Sequence, residues 1–172
     1  MKKVVVIGAE SSGKTTLCED LSKHFAIPYI PEFSRTYMEE NGSDYTLEDV
    51  EKMAQGQLDL EDVFEQDLQI IDTNLYVYKI WIEEKYNTTI DWIEQEIVNR
   101  HYDHYLLCDF DIPYQEDEFR EHPNKEDRQR LFNRYKELLE HDGCSFTTVS
   151  GSREERLEKS ARVIDEIASG KL

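Results

Sequence analysis

The chain has 172 residues and a formal net charge of −18, from 38 acidic against 20 basic residues. That length is expected to make one domain, residues 1–172, with enough apolar material for a core. The charge argues against a general nucleic-acid binder, which needs a basic footprint, and no apolar stretch approaches the roughly 20 residues of a membrane span.

In chain order, residues 3–7 come first, a short apolar run of the kind a buried parallel strand makes. Residues 16–25 follow, with Leu17, Leu21 and Phe25 at helical spacing. Between them Gly8 to Thr15 reads Gly-Ala-Glu-Ser-Ser-Gly-Lys-Thr, a full G-x-x-x-x-G-K-[ST] phosphate loop in a strand–loop–helix setting. Gly8 and Gly13 let the backbone wrap closely, so that consecutive N–H groups through Glu10, Ser11, Ser12 and on to Thr16 can face phosphate oxygens. The helix N-terminus adds partial positive charge. Lys14 is expected to reach the β- and γ-phosphates of ATP, and the Thr15 hydroxyl to ligate Mg²⁺.

Residues 27–31 read as a short strand despite two prolines, and residues 33–41 as a helix ending at Asn41-Gly42. Thr46, with Asp49 three residues on, opens a helix running to about residue 66. Residues 68–72 form a buried strand that ends in an acid. Residues 75–85 and 91–100 are helical, and residues 105–109 are the next strand. Residues 112–127 are polar and without period, and are read as a mobile loop. Residues 128–141 are helical, residues 145–149 form a β-branched strand, and Ser152 opens a last helix with Glu155 at the capping-box position. This alternation predicts an α/β fold with about five parallel strands and helices on both faces. Cys18, Cys108 and Cys144 have neither C-x-x-C nor zinc spacing. Cys18 and Cys108 read as small core residues, and no signal peptide is apparent, so a reduced, cytoplasmic protein is expected.

Several residues outside the loop could carry chemistry. Asp72 ends an apolar strand, where an acid can hold Mg²⁺ or cap the helix that starts near Asn74. Glu32 follows the second strand, on the side where ligands sit in a doubly wound sheet. It is placed to orient or deprotonate an attacking hydroxyl, or is simply a surface acid. Arg35, at i+3 from Glu32, reads as a helix-end partner or as an anion and hydroxyl clamp. Trp81 shares a helix face with Tyr78, which suits stacking on a flat ligand and core packing equally. Asp111 and Tyr114 follow the fourth strand. Arg120, Arg128 and Arg130 beyond them could neutralise a transferring phosphoryl group if their loop closes as a lid, or could pair with the many acids. Gly151-Ser152-Arg153 could skirt an adenine or serve as a strand-to-helix turn.

Taken together, these segments resemble one family. Gly8 to Leu17, Pro31-Glu32-Phe33-Ser34-Arg35, Tyr45 to Asp49 with Ala54-x-Gly56-Gln57, Asp72-Thr73-Asn74-Leu75, and Leu106-Leu107 running to Asp111-Ile112-Pro113-Tyr114 occur in this order. The chain resembles the ribosylnicotinamide kinase domain of NadR-type NAD-biosynthesis proteins. The resemblance implies a P-loop kinase fold and ATP-dependent phosphorylation of the 5′-hydroxyl of nicotinamide riboside, giving nicotinamide mononucleotide. It implies Lys14 and Thr15 at ATP–Mg²⁺, Asp72 near the metal, Glu32 and Arg35 near the riboside, and Asp111 in the substrate pocket. The chain departs from the family at Tyr114, where tryptophan is usual. It departs again at Asp117-Glu118-Phe119-Arg120, where Asp-Gly-x-Arg is usual. None of the five histidines forms the His-x-Gly-His of an adenylyltransferase, so the implied activity is the kinase step alone. The expected partner is a small nucleoside, with no nucleic acid or membrane, and a homo-oligomer is left open.

Overall fold

A computed structural model describes residues 1–113 and 124–171. Strand β1 (Lys2–Gly8) buries Val4 to Ile7 completely. It lies between two parallel neighbours, β2 (Leu68–Asp72) and β3 (His104–Cys108), and β3 pairs in turn with β4 (Phe146–Val149). The order across the sheet is β2-β1-β3-β4. A parallel sheet covered on both faces needs no polar alternation, hence the unbroken apolar runs in β1 and β3.

Helices α1 (Lys14–Phe25) and α7 (Arg153–Ala168) cover one face. There Leu17, Cys18 and Leu21 meet Ile164 and Ile167 over Val4, Val6, Leu106 and Cys108. On the other face α4 (Leu75–Tyr86) and α6 (Lys125–His141) bring Tyr76, Ile80, Leu131 and Tyr135 onto Val5, Ile7 and Leu107. Helices α2 (Phe33–Asn41), α3 (Leu47–Asp62) and α5 (Asp91–Asn99) gather around α4 in a further cluster that includes Met38, Met53, Tyr78, Ile82 and Ile93. The two capping boxes expected at Thr46 and Ser152 are both formed. Among the described residues, no helix is long and apolar enough to cross a membrane.

The sheet has four strands among the described residues, where about five were expected. The missing one is the 27–31 segment. Ile30 donates its N–H to Ile70 O and accepts from Asp72 N–H, both at 2.8 Å, and this makes a single parallel bridge to Ile71. Pro28 and Pro31 have no N–H to extend that bridge into a ladder. Two helix bounds also differ. Helix α6 begins at Lys125, so the expected loop is shorter at its C-terminal end; Glu126 and Asp127 suit the first turn of a helix. Residues 114–123 of that loop lie outside the described residues. Helix α3 stops at Asp62, four residues early. It ends on Glu61 and Asp62 with no basic residue in its last turn, the wrong charge for a helix C-terminus.

Glu61 is 1% exposed. Tyr102 Oη donates to its Oε2 at 2.8 Å, and Arg100 Nη1 stands 3.8 Å away. Burial nonetheless pushes its carboxyl up to about 7, against the relief from Tyr102 and Arg100. The folded state therefore holds this proton more tightly than the unfolded chain does. The stability it brings is complete below the ordinary glutamate range and is lost as pH rises through about 7. Glu61→Gln, which mimics the protonated form, should match the parent at pH 4 and exceed it by about 1–3 kcal/mol at pH 8, measured by urea unfolding across that range.

Candidate active site

The phosphate loop is the turn between β1 and α1. Gly8 and Gly13 have φ of 154° and 80°, and a Cβ at either would come within 2.8 Å of a neighbour, the Cys108 carbonyl or Ile112 Cδ1. Gly8 is thus required by conformation and by space, since its obstacle is backbone, while Gly13 is required by its left-handed conformation, its obstacle being the end of a side chain that can move. Helix α1 starts from Gly13 with no side-chain cap, so its first N–H groups are left for an anion. Lys14 Nζ folds back over the loop and donates to Gly8 O at 3.1 Å and Ala9 O at 3.0 Å.

The β1–β2 register sets Asp72 beside Val6. Thr15 Oγ1 donates to Asp72 Oδ2 at 2.7 Å. Asp72 Oδ1 is buried and has no hydrogen-bond partner among the described residues. The cap of α4 is Asn74, whose side chain accepts from Tyr76 N–H, so Asp72 is left for the loop. Burial and the charge of Glu32 raise the Asp72 carboxyl to about 7, while Lys14 and Thr15 oppose the rise. Two acids facing one ammonium, with a buried carboxylate oxygen unpartnered, suit a hard divalent cation. Thr15 and Asp72 offer two oxygen donors, a number Mg²⁺ commonly takes from protein when phosphates and water complete its shell.

Glu32 is carried on the segment that leaves Ile30. It takes the N-cap position of α2, and Ser34 Oγ donates to its Oε1 at 2.7 Å. The segment is mounted on α3. Gln57 Oε1 accepts from Phe33 N–H at 2.8 Å and its Nε2 donates to Pro31 O at 3.4 Å. Gly56 lets the Phe33 ring lie against the α3 backbone, where a Cβ would overlap the ring. Arg35 pairs with Glu39 at 3.3 Å. Trp81 donates its indole N–H to Tyr45 Oη at 2.9 Å, with the two rings edge to face and Tyr78 stacked behind. Lys85 Nζ sits 3.8 Å above the Tyr45 ring.

On the other side of the loop Arg153 makes a two-pronged pair with Asp20, both bonds 2.6 Å, which holds the Asp20 carboxyl below its usual range. Asp111 accepts from Gly151 N–H at 2.7 Å and pairs with the buried guanidinium of Arg156. Arg128 is buried and donates to Ile112 O at 2.8 Å, while Arg130 is directed to Glu84 at 2.7 Å. Tyr114 and Arg120 lie outside the described residues.

Most of these groups line one cavity of about 730 Å³, the size of a nucleotide or cofactor site. Asp72, which lies behind the loop through Thr15, is not in the lining, nor is Arg130, which is directed to Glu84. The loop from Gly8 to Thr16 forms its middle. Of the lining residues, Glu32, Arg35, Tyr45 and Trp81 come from segments on the β2 side of the sheet, and Asp111, Arg153 and Arg156 from segments that follow β3 and β4, with Asp20 tied to Arg153. The sheet order thus places two arms of lining residues on either side of the loop. Arg128 supports the wall through Ile112, which itself lines the cavity. Sequence reasoning did not single out Asp20 or Arg156, and Tyr45, Gly56 and Gln57 had stood out only as part of a resemblance. Asp20 meets Arg153 across 133 residues, and Arg156, besides Gly151, meets Asp111 across 45 and Ser12 across 144; no local pattern announces such pairs.

Residues 3–156 match the model of a family described as an AAA domain. The trifunctional NAD biosynthesis/regulator protein NadR of Escherichia coli K12 is 24% identical over 156 residues, 87% of this chain and 38% of that protein. NadR solved in complex with NR superposes with a TM-score of 0.73 at 19% identity, over 96% of this chain and 51% of the solved one. Deoxyadenosine kinase from M. mycoides, solved with dCMP and a flexible dCDP, has a TM-score of 0.63 at 14% identity, over 97% of this chain and 100% of that one. The chain thus spans well under half of the curated NadR and about half of the solved one. The solved likenesses show the fold, an α/β sheet of the kind found in P-loop nucleoside kinases.

The mounting of Glu32 can be tested by filling the gap at Gly56. Alanine is the better helix former by about 1 kcal/mol, but overpacking costs about 1–3 kcal/mol. Because the obstacle is an aromatic ring and not a flexible chain end, the clash outweighs the helix gain, and Gly56→Ala should lower stability by up to about 2 kcal/mol on denaturant unfolding.

Proposed function

We propose, from the premise that this chain belongs to the AAA-domain family, that it is a kinase transferring the γ-phosphoryl group of ATP to the 5′-hydroxyl of nicotinamide riboside. The product is nicotinamide mononucleotide. The observation that carries the reading is a cavity whose lining includes the phosphate loop and, on either side of it in the sheet order, the Glu32 and Arg153 groups of residues. A loop that only hydrolysed ATP would need no second arm. This arm is built of aromatic walls and a hydroxyl-facing acid, Glu32. The likeness to NadR supports nicotinamide riboside as acceptor, and the full-length likeness to deoxyadenosine kinase supports a nucleoside of some kind.

In this mechanism the N–H groups at the start of α1 receive the phosphates. Lys14 exchanges its Gly8 and Ala9 carbonyls for β- and γ-phosphate oxygens. Thr15 and Asp72 would hold Mg²⁺, which when bound neutralises charge on the β- and γ-phosphates. Glu32, fixed by Ser34, orients the acceptor hydroxyl and takes its proton as the oxygen bonds to the γ-phosphorus and ADP departs. Trp81 and Tyr45 offer a wall for a flat base. Arg153, held by Asp20, stands on the arm left for the adenine. Arg35, Arg120, Arg128 and Tyr114 remain candidates for the acceptor site and for charge neutralisation. The whole chain acts as one cytoplasmic unit in this reading.

The test is ATP consumption across a panel of nucleosides including nicotinamide riboside, with products identified by mass. Phosphorylation of nicotinamide riboside above the other nucleosides supports the reading. Preference for a deoxynucleoside would keep the kinase and replace its acceptor, and ATP loss without any phosphorylated nucleoside would overturn both. In the active assay, Lys14→Ala should lose about 10²–10³-fold in turnover, as expected for removing a charged transition-state contact. Glu32→Gln should lose about 10²–10⁴-fold with the KM for ATP little changed. Asp72→Asn should shift the Mg²⁺ titration of the rate to higher concentration.

A further inference from the structure

Arg156 makes four side-chain hydrogen bonds, and nothing in the mechanism above uses it. It lies in the second turn of α7 with 4% of its side chain exposed. Its Nε donates to Gly151 O at 3.0 Å, Nη1 to Ser12 O at 2.9 Å, and Nη2 to Asp109 O at 3.2 Å and to the Asp111 carboxylate. One guanidinium thereby ties together the phosphate loop, the exit of β3 and the turn into α7. Asp111 closes the arrangement from outside, since its other oxygen accepts from Gly151 N–H at 2.7 Å. Residue 151 is therefore held through both its N–H and its C=O.

The contact to Ser12 has a directional consequence. In a trans peptide the C=O and the following N–H point in opposite directions. Drawing the Ser12 carbonyl toward α7 turns the Gly13 N–H away from it, toward the phosphate side of the loop. Gly13 is left-handed, at φ 80°, and without a side chain of its own to fix that orientation. Lysine could not replace the fork, because its single ammonium cannot reach several carbonyls spread over a plane.

We propose that Arg156 is a positioning residue for the nucleotide, that it sets the Ser12–Gly13 peptide and the 151–153 turn together, and that Asp111 serves this pair and not the acceptor. The proposal rests on the kinase reading. It departs from the placement of Asp111 in the acceptor pocket that the family resemblance implies. Asp111 follows β3, and Arg153 and Arg156 follow β4, whereas Glu32 and Trp81 come from segments on the β2 side of β1, so the sheet order sets the two groups on opposite sides of the loop that ends β1.

The experiment measures binding of the non-hydrolysable analogue AMP-PNP by calorimetry, together with KM for ATP and for the phosphorylated nucleoside, in the parent, Asp111→Asn and Arg156→Lys. Each variant should weaken AMP-PNP binding and raise the KM for ATP by about 10-fold or more, the usual scale for a lost charge-assisted contact, with the acceptor KM unchanged. Circular dichroism and thermal melting identify folded variants. If Arg156→Lys does not fold, Asp111→Asn alone decides, since Asp111 is partly exposed and its loss leaves the carbonyl contacts of Arg156 in place. A rise in acceptor KM with unchanged AMP-PNP affinity overturns the proposal and returns Asp111 to the acceptor site. Unchanged AMP-PNP affinity and unchanged KM values in folded variants overturn it as well. A parent that does not bind AMP-PNP at all refutes the kinase reading itself, and the proposal falls with it.

Discussion

The site depends on one pairing, that of Val6 with Asp72 across β1 and β2. Because the strands are parallel, both chains leave the sheet at the same edge. The carboxylate that ends β2 therefore arrives where the loop after β1 begins. The 2.7 Å bond from Thr15 then fixes the distance between loop and acid. A slip of one residue would turn Asp72 to the opposite face of the sheet and bury an apolar side chain against the loop. The apolar runs themselves would exchange one aliphatic side chain for another; what makes the slip costly is the carboxylate, which would be carried onto the opposite, covered apolar face. Sheet register and the Thr15–Asp72 geometry are in this sense one property.

The two arms of the cavity are held by different means. The Glu32 arm hangs from α3 through an uncharged side chain, Gln57, and a ring laid against Gly56. The Arg153 arm is held by ions, Asp20 with Arg153 and Asp111 with Arg156. In a chain with 38 acidic residues this asymmetry has a simple reading. In the kinase reading proposed above, the paired guanidinium groups belong to the nucleotide side, and the Glu32 side carries aromatic surface and an acid beside Arg35 and Lys85. Lys14 sits between them, and its charge opposes the carboxyl shift that burial and Glu32 impose on Asp72.

The parts of this architecture that rest on local patterns were legible in the sequence. Apolar runs marked the four strands, the two capping boxes marked helix starts, and glycine spacing marked the loop. The fifth strand was overcalled because apolar content at residues 27–31 was weighed above the missing N–H groups of Pro28 and Pro31. Helix α3 was extended too far because its apolar spacing continued after its terminal charges had turned unfavourable. The side chains singled out beside the loop, Glu32, Arg35, Trp81, Asp111 and Arg153, do face one cavity. What holds them was not legible. Gln57 reaches back 26 residues to Pro31, and Arg156 reaches 144 residues back to Ser12. Neither makes a recurring pattern, so only the assembled fold brings them forward.

The single bridge at Ile30 has a bearing on how the molecule behaves in a crowd. A sheet ends in a row of unpaired amide groups, and such a row is a template for a strand from another molecule. Beyond β2 that row meets Ile30, whose own N–H and C=O are already spent on Ile70 and Asp72. The residues that would carry a strand onward include two prolines, which can donate nothing. The edge is thus stopped by a segment too short to recruit a partner and too poor in donors to be extended. The same segment that carries Glu32 to the cavity also guards this side of the sheet against edge-to-edge aggregation.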